Sequence, residues 1–270
     1  QGPTSPPKDR QQKYERSITI LNGVEASSPL KRDAEIQIGL NYNALEKLDE
    51  SRAHLSALVE EDPSDLDAVT ALGNVLRSHK MFAEADAIYS RGIDTISEPE
   101  PKHWALFYYR GICRERLKDW GPAEADFRQS LALSPDQPLV LNYLGYSLVD
   151  RGLKLSEALD MIRKAVELRP RDGYIVDSLG WAYYKLGRYE EAVVELELPA
   201  PPHAHLREGA VRGERVHARE HRAKLPALAA RERVGRALAA HVQRREREPQ
   251  RRPREHVQHH RPGHRRARCA

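Results

Sequence analysis

Five glycines at regular intervals constrain the fold of this chain more than any other feature of its sequence. They lie at positions 39, 73, 111, 145 and 180, so that successive glycines are 34, 38, 34 and 35 residues apart. A nearly constant period of this length predicts repeated supersecondary units, each of which buries its apolar face by stacking on its neighbours. The chain is therefore expected to form an elongated array of repeats.

Other residue types return in register with the glycines. A leucine or isoleucine precedes four of them, whereas Arg110 precedes Gly111. A small residue follows each glycine by twelve or thirteen positions, and a bulky residue follows the small one by four. The small residues are Ser51, Ala85, Ala123, Ala158 and Ala192, and the bulky ones are Leu55, Tyr89, Phe127, Ile162 and Leu196. Glycine and small residues predict two closely approaching helices in each repeat, and the bulky residues are expected to fill the space between one repeat and the next.

This pattern resembles the tetratricopeptide repeat, a helix-turn-helix unit with the signature W-x2-L-G-x2-Y, then A-x3-F, then P. The resemblance covers about 32–197, although other residues occupy the tryptophan position and four residues, Glu98 to Pro101, are inserted after the second repeat. Prolines at 63, 135 and 170 close three of the repeats, because proline lacks the amide hydrogen that continues a helix. The resemblance implies an all-α fold, a right-handed superhelical solenoid whose first helices, the A helices, line a concave face.

The repeat register sets the expected boundaries. Residues 1–12 are expected to form a flexible lead-in, and 13–31 the second helix of a partial repeat. Five repeats are expected at about 32–63, 66–101, 104–137, 138–172 and 173–197, the last one truncated, followed by a tail over 198–270. Helices are predicted near 33–48, 52–62, 64–79, 82–96, 102–118, 121–133, 137–150, 155–168, 172–186 and 189–197. Asp65 and Asp172 are typical of residues at a helix start.

The charge balance changes sign where the repeat pattern ends. Residues 1–197 hold 25 Lys and Arg against 33 Asp and Glu, whereas residues 198–270 hold 19 against 7. The tail has no aromatic residue or isoleucine with which to build a core, so it is predicted to be mostly disordered, with a helix over 225–248 as the exception. Its abrupt composition fits either a natural basic arm or a shifted reading frame.

The resemblance implies a protein-protein interaction scaffold or adaptor, not an enzyme, that binds a peptide or protein segment in the concave groove. Family ligands contact A-helix residues at fixed positions around the glycine. The candidate groove residues at these positions are Asn43, Asn74, Arg77, Tyr108, Asn142, Tyr146, Trp181 and Tyr184. Tyrosine and tryptophan offer large contact areas, and asparagine can hydrogen-bond a peptide backbone as donor and acceptor. The partner's identity and the oligomeric state stay open.

The tail over 198–270 suggests two alternatives to a scaffold function. Its arginines could bind nucleic acid or an anionic surface through phosphate contacts. His217-Ala218-Arg219-Glu220-His221 fits H-x-x-E-H, the motif of one class of zinc hydrolases, but catalytic zinc needs a third ligand in a packed cavity. No phosphate-binding glycine motif occurs, and no cofactor is predicted. No residue is assigned to a metal site. Cys113 is expected to pack as a small apolar group.

Residues 137–197 are similar to exported repeat proteins of Gram-negative bacteria, some of which are lipoproteins. This resemblance implies a periplasmic or outer-membrane location, and without it the cytoplasm is expected. No run of eighteen apolar residues occurs, so no membrane-spanning helix is predicted.

Overall fold

The computed structural model describes residues 8–197, apart from the side chains of three residues in the last helix, Val193, Leu196 and Glu197. Their regular secondary structure is helical. The α-helices are α1 (Lys8–Asn22), α2 (Lys31–Ala44), α3 (Leu48–Glu61), α4 (Leu66–Ser78), α5 (Phe82–Ile93), α6 (Trp104–Arg116), α7 (Trp120–Leu133), α8 (Pro138–Arg151), α9 (Leu155–Leu168), α10 (Gly173–Lys185) and α11 (Tyr189–Glu197). The all-α prediction is confirmed for this part of the chain. None of these helices is long and apolar enough to cross a membrane.

Helices α2 to α11 pair in chain order into five helix-turn-helix repeats. Each even-numbered helix is helix A of its repeat, and it packs against its own helix B and against helix B of the preceding repeat. Helices A also contact one another, as α2 does with α4, α4 with α6, and α8 with α10. Contacts therefore run between neighbours along the array, and the predicted solenoid of helical repeats is confirmed.

Helix α1 precedes the first repeat and packs on α2 through Ile18 and a 2.9 Å hydrogen bond from the Asn41 amide nitrogen to the Ser17 hydroxyl. It begins at Lys8, so residues 8–12 are helical although they were expected to belong to a flexible lead-in. After Pro7, residues 8–13 contain only charged residues and glutamine, most of which favour helix, and no proline or glycine.

In the first four repeats, helix A crosses helix B at the repeat glycine, namely Gly39, Gly73, Gly111 and Gly145. A Cβ atom at Gly73 would come 2.5 Å from the Tyr89 ring, and one at Gly39 would come equally close to Leu55. The expectation that these bulky residues only fill the space between repeats is therefore incomplete, because each also covers the glycine of its own repeat. Tyr89 does both, since its ring also stacks on Tyr109 of the third repeat.

A left-handed residue ends helix A in every repeat. The residue seven positions after each glycine has a positive φ, namely Glu46, Lys80, Lys118, Gly152 and Gly187. The next amide then donates to a carbonyl five residues back, as from Lys47 to Tyr42 at 3.0 Å. This turn ends α2 at Ala44, whereas the sequence predicted a helix to 48, and it lets α3 begin at Leu48 rather than at 52.

The starts of two A helices agree with the sequence. The Asp65 carboxylate accepts hydrogen bonds from the amides of Asp67 and Ala68, and the Asp172 carboxylate accepts one from Tyr174. These aspartates satisfy amides that have no partner inside the helix. The insertion after the second repeat lies in the loop that follows α5, and its last residue, Pro101, begins a short 3₁₀ turn, Pro101–His103, that leads into α6.

The apolar core lies between helices A and B, and one cluster of buried side chains runs continuously from α3 to α6. It includes Leu55, Leu72, Tyr89 and Cys113. Cys113 is fully buried, so the expectation that it packs as a small apolar group is confirmed. Burial raises the pKa of its thiol to about 12.

Candidate functional site

The candidate groove residues all lie on helices A, in the layer that α2, α4, α6, α8 and α10 form together. The structure divides them into two sets by exposure. The partly exposed set consists of Asn43, Asn74, Tyr146 and Tyr184. The buried set consists of Arg77, Tyr108, Asn142 and Trp181. Only the first set presents surface directly to solvent.

The two amides of the first repeats already have partners inside the protein. The Asn43 side-chain oxygen is 2.8 Å from the imidazole Nε2 of His79, which joins α2 to the end of α4. The Asn74 oxygen accepts hydrogen bonds from the Tyr89 hydroxyl at 3.0 Å and from Arg77 at 3.1 Å. Both amides therefore help to hold neighbouring helices together.

Arg77 lies between α4 and α6. Arg77 is only 3% exposed, and its guanidinium lies 4.5 Å from the centre of the Tyr109 ring. An arginine on an aromatic face gains electrostatic attraction together with apolar contact. The sequence analysis did not include Tyr109 in the groove, although it is partly exposed and follows the candidate residue Tyr108.

Tyr108 is the centre of an aromatic cluster that joins the third and fourth repeats. It is 2% exposed, and its ring centre lies 5.3 Å from that of Tyr109, 6.0 Å from that of Tyr143 and 6.2 Å from that of Phe127. Such tilted and edge-to-face pairs stabilise beyond the area that they bury. Burial also raises the pKa of Tyr143 well above its ordinary value. The packing of Tyr108 is that of a core residue.

Asn142 and Tyr146 lie one helical turn apart on α8. Asn142 is fully buried, and within residues 8–197 neither its amide nitrogen nor its amide oxygen has a hydrogen-bond partner. Tyr146 is partly exposed on the same helix face. The fourth repeat thus places an aromatic surface beside a buried polar group.

The fifth repeat carries a run of stacked rings. The Trp181 and Tyr184 ring centres are 5.5 Å apart with planes at 26°, and Tyr184 also contacts Tyr189 at the start of α11. Trp181 is 8% exposed, so much of its indole packs within the repeat, and the Lys185 ammonium lies 5.6 Å from its ring. Tyr184 is therefore more exposed to solvent than Trp181.

Comparison with known sequences agrees with the repeat architecture. The sequence model of a family described as "Tetratricopeptide repeat" matches residues 144–204, which include most of the fourth repeat, all of the fifth and the first residues beyond Glu197. A TPR repeat-containing protein of Pseudomonas aeruginosa is 39% identical over 92 residues, which make up 34% of this chain and 16% of the relative. The repeat region of the chain thus has the sequence pattern and the helical arrangement of tetratricopeptide repeats.

Solved structures of other proteins resemble its fold. MamA of Desulfovibrio magneticus is 17% identical, with a TM-score of 0.53 over 62% of this chain and 91% of that chain. A chain of the APC/C hetero-tetramer Cut9–Hcn1 is 20% identical, with a TM-score of 0.56 over 69% of this chain and 36% of that chain. At these identities the similarity establishes the arrangement of helices.

A largely buried ion network in the third repeat was not predicted from the sequence. Arg110 donates two hydrogen bonds to the Asp126 carboxylate, at 2.7 and 2.9 Å, and Arg114 donates to the same carboxylate at 2.9 Å. Arg114 also donates to Asp86 on α5 at 2.8 Å. The signal in the sequence was Arg110, which stands where the other repeats have leucine or isoleucine, and its partner Asp126 lies sixteen residues further on.

The predictions that concern the tail fall outside residues 8–197. These are the disorder, the helix over 225–248, the nucleic-acid site and the His217–His221 motif. Within the part of the chain that the structure describes, no group of three or more His, Cys, Asp or Glu side chains could hold a metal ion.

Proposed function

We propose that the chain is a non-catalytic scaffold that binds a segment of a partner protein along the face of its A helices. The observation that carries this proposal is the aromatic surface of the fourth and fifth repeats, where partly exposed Tyr146 and Tyr184 lie on adjacent, contacting helices α8 and α10. The nearly buried Trp181 ring stacks on the Tyr184 ring and helps to fix its orientation.

The chemistry of this surface suits protein recognition. Tyrosine presents a broad ring together with a hydroxyl, loses little conformational freedom on binding, and is enriched among the residues that dominate binding energy. A face built from parallel rows of helices offers a groove for an extended segment or a helix of the partner. The repeats supply rigidity, because each A helix is fixed by contacts with both neighbours.

The test uses peptides from a phage-displayed random library of about 12 residues, selected against the full chain. We expect the double variant Tyr146→Ser, Tyr184→Ser to bind the selected peptides at least about tenfold more weakly, since removing hot-spot side chains typically costs 1.4 kcal/mol or more. Leu168→Ser is the control, because Leu168 is an exposed apolar residue on helix B of the fourth repeat, away from the face of the A helices.

Tyr184 is preferred to Trp181 for this experiment because Trp181 is nearly buried. Truncation of a buried tryptophan to alanine costs about 3–5 kcal/mol of stability, so loss of binding in that variant would not distinguish a contact from unfolding. If the selected peptides bind the double tyrosine variant as tightly as the unchanged chain, or if Leu168→Ser weakens them equally, the proposed face is wrong.

A further inference from the structure

The first turns of the A helices change in chemical character along the solenoid. The residues six positions before the repeat glycines are Asp33, Asp67, Ala105, Leu139 and Tyr174. We call these five residues the first-turn row. Helices α2 and α4 each carry an aspartate in the first turn, whereas α6, α8 and α10 carry no acidic residue there. The row is therefore acidic at the first two repeats and apolar at the last three.

The first-turn row belongs to the same face of the A helices as the candidate groove residues. Residues seven positions apart in an α-helix lie on one face. Asp67 is seven residues before Asn74, and Leu139 is seven residues before Tyr146. The A helices run in the same direction along the array and contact one another, as α2 does with α4 and α8 with α10. The row thus crosses the proposed binding face at one level.

The two aspartates of the row are available to a partner. Asp33 and Asp67 are exposed, and within residues 8–197 neither carboxylate has a hydrogen-bond or ion-pair partner. Glu35, the other acidic residue of α2, instead pairs with Lys31 at 2.7 Å and with His54 at 2.9 Å. Two carboxylates on adjacent helices are therefore left to receive positive charge from outside this part of the chain.

The helix dipole alone does not account for the division of the row. An acidic residue in a first turn stabilises its helix, and this effect is equally available to each A helix, yet only two of the five use it. On the last three repeats, the charged side chains near the ends of the A helices pair with one another. Arg151 lies 3.4 Å from Glu115, and Lys185 lies 3.8 Å from Asp150. The binding face is thus acidic at one end, and aromatic with paired charges at the other.

We propose that the bound segment is basic at one end and apolar at the other, with its basic end over the first two repeats, an inference that rests on the proposed function. Adjacent packed helices lie about 8–10 Å apart, and an extended chain advances about 3.3 Å per residue. Lysine or arginine residues about three positions apart in the segment therefore reach Asp33 and Asp67. Apolar residues further along reach Leu139, Tyr146 and Tyr184. The charge difference along the face fixes the direction of the segment.

The first test uses the peptides selected against the full chain. We expect these peptides to carry lysine or arginine toward one end and apolar residues toward the other. The double variant Asp33→Asn, Asp67→Asn should bind them about three- to tenfold more weakly at low ionic strength, since each exposed ion pair contributes little and both are lost. The difference should narrow as salt is added, because salt screens exposed charges.

The double variant Asp49→Asn, Glu50→Gln is the matched control. Both residues are exposed in the first turn of α3, a B helix, so this variant has the same change in net charge and also loses acidic groups at a helix start. Its affinity for the peptides should stay unchanged. As a second control, a peptide whose basic residues are replaced by glutamine should bind the unchanged chain and the Asp33, Asp67 variant equally.

Photo-cross-linking determines the direction of the segment. A peptide that carries benzoylphenylalanine at its basic end should cross-link to α2 or α4, and one that carries it at its apolar end should cross-link to α8 or α10. Mass spectrometry of the digested products locates each cross-link. The reverse pattern would overturn the proposal.

Failure of this inference can be separated from failure of the proposed function. The inference fails if the selected peptides lack basic residues, if Asp33→Asn with Asp67→Asn leaves their affinity intact, or if the Asp49, Glu50 variant weakens them equally. If Tyr146→Ser with Tyr184→Ser still weakens binding in any of these cases, the proposed function stands. If the tyrosine changes also leave binding intact, the proposed function itself fails.

Discussion

Single glycines determine how closely the two helices of a repeat can approach. Gly73 lies under the Tyr89 ring and Gly111 under the Phe127 ring, with no room for a Cβ atom at either position. The neighbours that a Cβ would strike are buried aromatic rings, which cannot move without disturbing adjacent side chains. The spacing of the repeat therefore depends on the absence of one methyl group.

Gly73→Ala should lower the free energy of unfolding by about 1–3 kcal/mol, because the added methyl group overpacks the crossing of α4 and α5. The measurement is the midpoint of urea denaturation. Gly121→Ala is the control, since Gly121 is exposed in α7 and nothing lies within 4 Å of its Cβ position. That variant should be unchanged or slightly more stable, because alanine favours helix. Equal effects at the two positions would contradict the packing argument.

The thiol of Cys113 should be unreactive in the folded protein. Burial raises its pKa to about 12, so almost none of the reactive thiolate is present at pH 8, and the sulfur is covered. Cys269→Ser leaves Cys113 as the remaining cysteine. Labelling of this variant with a thiol reagent at pH 8 should be complete in denaturant and negligible without it. Rapid labelling of the folded variant would show that α6 is accessible.

Between helices, the left-handed turn at the end of each A helix is the recurring element. Two repeats place glycine at the left-handed residue, Gly152 and Gly187, whereas the other three use Glu46, Lys80 and Lys118. A side chain in this conformation costs about 1 kcal/mol or more relative to glycine, partly offset by the chain entropy that glycine loses. Three repeats therefore carry local strain that the packing of their helices compensates.

Lys118→Gly should stabilise the protein by up to about 1 kcal/mol, because glycine adopts the left-handed conformation of this turn freely. Gly187→Ala should destabilise it by a similar amount for the converse reason. The melting temperatures of both variants check the prediction, and a fall in the first or a rise in the second would contradict it. Lys118 is exposed, so the change removes few contacts.

The Arg110–Asp126 pair is a second element-scale feature that can be tested. Asp126→Ala leaves Arg110 and Arg114 without their shared carboxylate, and it should cost about 3 kcal/mol. Arg110→Leu with Asp126→Leu restores the residue type that precedes glycine in three other repeats, and should cost less than the two single changes added together. A double-mutant cycle by urea denaturation measures this coupling, and strict additivity would show that the pair is not coupled.

The helices and their order could be predicted, because the recurring glycines and the small and bulky residues in register with them determine where each helix lies. The turn after α2 could not be predicted. Glycine at position 152 indicates a left-handed turn, whereas Glu46 does not, so the predicted helix continued to residue 48. The candidate face was assigned to the A helices from spacing. The burial of Tyr108 and Asn142 could not be predicted, because it depends on side chains from adjacent repeats rather than on position in the helix.

For the whole solenoid, stability should vary along the chain. Helix α4 packs against α2, α3, α5 and α6 and belongs to the continuous core cluster, whereas α1 packs mainly on α2. In repeat proteins each unit is stabilised by its own contacts and by its neighbours, so local unfolding is easiest where neighbours are few. Uniform cooperativity is therefore not expected.

Hydrogen exchange should show this gradient directly. Amides in α4 and α6 should exchange slowest, and amides in α1 and α11 should exchange fastest among the helices of residues 8–197. Mass spectrometry of peptides from each helix, after exchange at one pH and temperature, gives the comparison. Equal protection in α1 and α4 would mean that the described repeats unfold as one unit.

The ion network of the third repeat has a consequence for assembly order. Repeats built on one pattern resemble each other, so a nascent array can dock neighbours in the wrong sequence or exchange them between molecules. Arg114 of the third repeat pairs with Asp86 of the second, as well as with Asp126 of its own. A misplaced neighbour without that aspartate leaves an arginine charge half-buried and short of its second partner. The network therefore favours a neighbour that carries a carboxylate at the position of Asp86.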